Sequence, residues 1–134
     1  YLEALREHRI PIDREIVMCD KIDYHTALDN TLKLLRQPNR PDAILAFNDI
    51  ITFAAYTAIR QLKLKIPQDV ALIGFTDDVH TEYVTPRMSV IADQSQKMGA
   101  EACRLLLKAI GGDNKVRNVI VPQKLVIRET SAKS

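Results

Sequence analysis

The chain has 134 residues, of which 46% are hydrophobic and 27% charged, and 19 Lys and Arg against 17 Asp and Glu leave a net charge of +2. This length suits one ordinary domain or two small lobes, and the balance excludes a disordered, collagen-like or low-complexity chain. No apolar run approaches a membrane span, and the weak, mixed charge outlines no nucleic-acid groove.

Residues 1–8 read as a short helix with Leu2 and Leu5 on one side, ended by Arg9-Ile10-Pro11. Residues 14–19 carry β-branched side chains and predict a strand. Asp23 is a suitable N-cap, and Tyr24, Leu28, Leu32 and Leu35 recur at helical spacing until Pro38 and Pro41 stop the helix. The apolar run 42–47 predicts a central parallel strand covered on both faces. Asn48-Asp49 then opens a helix with Ile51, Ala55, Ile59 and Leu62 on one stripe, ending before Pro67. Residues 69–75 form another apolar strand. This alternation predicts an α/β fold with a doubly wound parallel sheet and right-handed crossovers.

The pattern breaks after Thr76. Residues 76–87 are polar and irregular, and 88–92 predict a short strand. Ser95 is placed to cap a helix aligning Met98, Ala102, Leu105 and Ala109, which Gly111-Gly112 ends. Two more strands are expected at 118–121 and 124–128, around Pro122-Gln123.

Ligands of doubly wound sheets bind beyond the carboxyl ends of the strands. Three polar groups follow apolar strands here: Cys19-Asp20-Lys21, Phe47-Asn48-Asp49 and Phe75-Thr76-Asp77. Asp49 suits helix capping, whereas the Asn48 amide, able to donate and accept, suits ligand hydroxyls. The Thr76 hydroxyl is a candidate contact pointing into a cleft. Asp77-Asp78 reads as a solvated turn rather than an acid pair for metal or general-base chemistry. His8, His25 and His80 lack metal-ligand spacing and are expected at the surface, and no metal or cofactor is expected. Cys19 and Cys103 have no CxxC spacing; they are expected to pack as small apolar groups in a reducing compartment. Tyr56 and Tyr83 suit the core or a subunit contact. No GxSxG, P-loop or dinucleotide fingerprint occurs, so no catalytic role is expected.

Four segments together carry a family resemblance: RPDAILAFNDIITFAAYTAI (40–59), KIPQDVALIGFTDD (65–78), YVTPRMSVIADQSQKMGAEACRLLLKAI (83–110) and VPQKLVIRET (121–130). They resemble the C-terminal half of the effector-binding region of LacI/GalR-family transcriptional regulators. IPQDVALIGF and LVIRET are the most specific parts; AFND is shared with sugar-binding proteins of the periplasm.

The resemblance implies a periplasmic-binding-protein-like type I fold lacking its first strand. Residues 1–86 and 124–134 would belong to an incomplete C-terminal lobe. Residues 87–123 would be crossing segments with the last strand–helix–strand of the N-terminal lobe. Asn48 falls where family members contact sugar hydroxyls. Thr76 falls where many carry an effector-binding Asp, so that GFTDD departs from the family's GYDD or GFDN; Asp77 joins the same candidate site. Lys21 falls near a position often aromatic, another departure.

The implied function is small-molecule sensing, with a sugar or sugar-like effector, in a cytoplasmic homodimer without membrane contact. Operator DNA would be bound only through a helix-turn-helix that this chain does not contain. The missing initial Met fits a piece of a longer protein. A periplasmic solute-binding protein shares these features and is the alternative; a flavodoxin-like enzyme or phospho-acceptor has only Asp20, Asp49 and Asp77 in its favour.

Overall fold

A computed structural model describes residues 1–19, 21–76, 78–113 and 115–132. The elements in order are α1 (Leu2–Glu7), α2 (Tyr24–Leu35), β1 (Ala43–Ala46), α3 (Asp49–Gln61), β2 (Ala71–Phe75), a 3-10 turn (Val79–Glu82), β3 (Ser89–Ala92), α4 (Ser95–Ile110) and β4 (Lys124–Val126). They build one four-stranded sheet in the order β1-β2-β3-β4. The first three strands are parallel and β4 closes the sheet antiparallel to β3.

The core lies where α3 crosses β1 and β2. Leu35, Ala46, Ala55, Ile59, Val70 and Leu72 form one buried cluster, with Ile44, Ile51 and Leu62 packed around it. Small residues bring α3 close to the sheet: Ala54, Ala55 and Ala58 are fully buried, and a Cβ on Gly74 would lie 2.5 Å from Thr52 Cγ2. The segment that follows β4 is locked to β2 through Thr130. Its N–H donates to Arg87 O, its O accepts from Leu72 N–H at 2.9 Å, and its Oγ1 donates to Leu72 O and accepts from Ser89 N–H.

Four expectations are corrected. Residues 14–19 form no strand, because their backbone finds no neighbouring strand; Asp13 and Arg14 make only local turn bonds there. Residues 118–121 likewise pair with no strand among the described residues, where β4 alone continues the sheet. β1 is an edge strand rather than a central one, with Ala43 and Leu45 exposed, since β2 is its only partner among the described residues. The buried side of α2 is Ala27, Thr31, Leu34 and Leu35, not the stripe through Tyr24, Leu28 and Leu32. Thr31 is hidden by donating its hydroxyl proton to Ala27 O at 2.7 Å, so a residue read as polar sits in the interface.

α4 is helical where expected, and Gly112 takes φ +93 after its end. It buries none of its residues and forms no extensive interface with another described element. Cys19 and Cys103 are both exposed and free, not packed as small apolar groups.

Candidate functional site

Because β1, β2 and β3 are parallel, the residues after their last positions meet at one edge of the sheet. Asn48 follows β1, Thr76 follows β2 and Asp93 follows β3. Lys124 opens β4 opposite Ala92, so the antiparallel strand places an exposed cation beside Asp93 at this same edge.

The capping assignment at α3 is corrected. Asn48, with extended φ −148, is the N-cap, and its Oδ1 accepts from Ile51 N–H at 2.9 Å. Asp49 is the first helical residue and, among the described residues, accepts only from the adjoining Ile50 N–H. Capping occupies one oxygen of Asn48, so its two Nδ2 protons have no acceptor among the described residues. The N-cap also sits at the positive end of a 13-residue helix.

Thr76 is 6% exposed and extends the buried alternation of Leu72 and Gly74 on the α3 side of the sheet. Its hydroxyl is therefore largely buried rather than open to solvent. Its backbone N–H pairs with Ile91 O, and its Oγ1 accepts from Asp78 N–H at 3.0 Å, which folds the chain into the next turn. Asp78 caps the 3-10 turn, accepting at Oδ1 from His80 N–H at 2.7 Å and from His80 Nδ1 at 2.6 Å. These bonds, the backbone one foremost, hold its carboxyl below the ordinary carboxylate range. Asp78 is thus a turn residue, as its sequence context suggested. Asp77 and Asp20 lie outside the described residues.

Lys21 is exposed, and its backbone O accepts from Asp23 N–H; no described bond joins it to Asn48 or Thr76. The sequence reading missed Asp93, which is half-buried and accepts at Oδ1 from both Ser95 N–H and Ser95 Oγ. Asp93, not Ser95, therefore ties down the start of α4, where Gln94 takes a left-handed φ of 54. The signal was present: an acid directly after an apolar strand, the pattern that singled out Asn48. His8, His25 and His80 are exposed as expected.

A parallel sheet with polar groups gathered at its carboxyl edge defines a ligand-binding α/β domain. Residues 1–131 match the periplasmic binding protein-like domain family, and the chain belongs to it. Within that family it is similar to transcriptional regulators, some of them named as LacI-family members. It is similar to the HTH-type transcriptional regulator DegA of Bacillus subtilis (strain 168), with 30% identity covering 98% of this chain and 39% of that protein. The ribose operon repressor of Haemophilus influenzae is also 30% identical, covering 97% and 40%. Among solved structures, a LacI-family regulatory protein from Chloroflexus aggregans superposes with a TM-score of 0.90 at 27% identity, over 98% of this chain and 48% of that one. A transcriptional regulator CelR–cellobiose complex superposes at 0.86 and 28% identity, over 98% and 40%. The chain spans about two-fifths of the length of the curated relatives it matches.

Proposed function

We propose that the chain is the ligand-sensing portion of a bacterial LacI-type transcriptional regulator, with a sugar or sugar-like effector at the carboxyl edge of its sheet. The observation that carries this reading is Asn48: its oxygen caps α3 while its amide protons stay unspent at the strand ends of a periplasmic-binding-protein-like fold. Asn48 donates to ligand hydroxyls. Lys21 joins the polar rim, and Thr76 supplies a hydroxyl proton that no described acceptor takes. The names of two relatives, a ribose operon repressor and a regulator bound to cellobiose, favour sugars as the ligand class.

In this reading residues 1–86 and 124–134 belong to one lobe, and 87–123 are crossing segments with the last strand–helix–strand of the other; β3, within the crossing stretch, stays paired with β2 and β4. Effector bound between lobes favours one arrangement and so biases a cytoplasmic homodimer on operator DNA, which a domain outside this chain contacts. No catalytic step is assigned.

Asn48→Asp keeps the capping oxygen and removes the amide donor. In the complete protein, calorimetry against D-ribose, D-glucose and cellobiose should find a sugar whose binding this change weakens by about 1–3 kcal/mol, with the melting temperature nearly constant. Equal affinity of the variant for a sugar that binds would remove Asn48 from the site.

A further inference from the structure

We propose that Arg128 is a positioning residue for the effector site: its guanidinium holds the 3-10 turn after β2, so that the chain returning through β4 determines where Asp78 and Thr76 sit. The proposal rests on the reading of the carboxyl edge as the effector site.

Arg128 lies just beyond β4 and is distant in sequence from everything it touches. Its side chain is only 17% exposed and reaches three acceptors on the segment between β2 and β3. Nη2 donates to Glu82 Oε1 at 2.6 Å, and Nη1 donates to Met88 O at 2.8 Å and to Thr81 Oγ1 at 3.4 Å. Its backbone is held as well: Arg128 N–H donates to Ser89 Oγ, which donates back to Arg128 O.

Thr81 passes this hold on to the turn. It is 2% exposed, donates from Oγ1 to Asp78 O at 2.7 Å, and receives Met88 N–H at its backbone O. Asp78 N–H in turn donates to Thr76 Oγ1. A continuous path of hydrogen bonds therefore runs from the guanidinium through Thr81 and Asp78 to the end of β2. The planar fork serves separated acceptors together, which a Lys ammonium on a flexible stem does not reproduce. The neighbouring pair Arg87–Glu129 is different: its side chains are 61% and 47% exposed, and it reaches none of Thr76, Asp78 or Thr81.

The test uses the complete protein with Arg128→Lys, Glu82→Gln as a milder cut of the same pair, and Arg87→Lys as control. Amide exchange without effector should rise about tenfold or more at Asp78, His80 and Thr81 in Arg128→Lys. The Ala71 amide, bonded to Asp42 O in the adjoining β1–β2 ladder, should change little, and Arg87→Lys should leave the turn unaltered. If Arg128→Lys does not fold, Glu82→Gln must show the same local pattern at smaller amplitude. Exchange rising equally at Ala71 and the turn, or at neither, overturns the proposal, because Arg128 would then act only on global stability or not at all.

Calorimetry with D-ribose, D-glucose and cellobiose separates this idea from the reading beneath it. A sugar that binds should bind Arg128→Lys at least about fivefold more weakly. Weakening by Asn48→Asp but not by Arg128→Lys overturns the positioning role and leaves the site standing. Binding that neither change affects overturns both. If none of the three sugars binds, the sugar assignment fails, and exchange alone decides the role of Arg128.

Discussion

Asp23 caps α2 twice over, accepting Thr26 N–H at Oδ1 at 2.9 Å and Thr26 Oγ1 at Oδ2 at 2.8 Å. The backbone bond first, and the hydroxyl bond after it, lower its carboxyl pKa from the ordinary value. A carboxyl depressed on folding contributes stability that is full above its unfolded pKa and is lost as pH falls through its folded pKa. Asp23→Ala should therefore lower the melting temperature at pH 7, and the gap between variant and wild type should close by about pH 2. Scanning calorimetry across that range checks the sign; a gap that widens in acid would refute it. Asp78 is lowered by a similar bond from His80 and adds in the same direction. Asn48 is the informative contrast. The same capping geometry leaves half of its amide unspent, which is why a capping residue can also be a ligand contact.

At the scale of elements, α3 and β2 set the depth of the core. The hydrogen of Gly74 faces Thr52, whose Oγ1 and Cγ2 would stand 2.6 and 2.5 Å from an added Cβ. Thr52 is itself fully buried and bonded from Oγ1 to Asn48 O, so it cannot swing away without freeing a buried hydroxyl at the start of the site helix. Gly74→Ala should cost about 1–3 kcal/mol in urea unfolding. Thr52→Ala in the same chain should recover part of that loss, since the two substitutions share one contact. Strictly additive losses would show that the close approach does not limit the packing. The misread face of α2 has the same origin: a hydroxyl satisfied by its own helix behaves as a core side chain, and Leu28 and Leu32 are left on its flanks.

For the whole molecule, the sheet leaves β1 open on one side, and the apolar residues there are not covered. Leu45 is 56% exposed and Phe47 69%. An open strand edge with apolar neighbours invites pairing with another chain. The 134-residue chain on its own should self-associate in light scattering, and Leu45→Lys should shift it toward monomer. A wild-type chain that is monomeric with a cooperative melt would contradict this. The apolar face of α4 adds to the same tendency, with Met98, Leu106 and Ile110 all exposed. No described helix is long and apolar enough to cross a membrane, so these surfaces do not form a span.

Periodicity and punctuation in the chain determined α1, α2, α3, α4, β1, β2 and β3 almost to the residue, because caps, prolines and apolar runs act locally. The regular βα alternation also determined that Asn48 and Thr76 would share one sheet edge. What only the tertiary structure decided are relations between distant segments. Whether 14–19 is a strand depends on a neighbour's backbone groups, and no pattern within REIVMC supplies them. The choice between Asn48 and Asp49 as cap depends on which side chain meets Ile51 N–H, a matter of backbone angle rather than composition. The links from Thr130 to Leu72 and from Arg128 to Glu82 join residues 58 and 46 positions apart. Such contacts arise only when the sheet brings β4 back beside β3. They tie the segment after β4 to β2 and to the turn that follows it, and sequence spacing holds no trace of them.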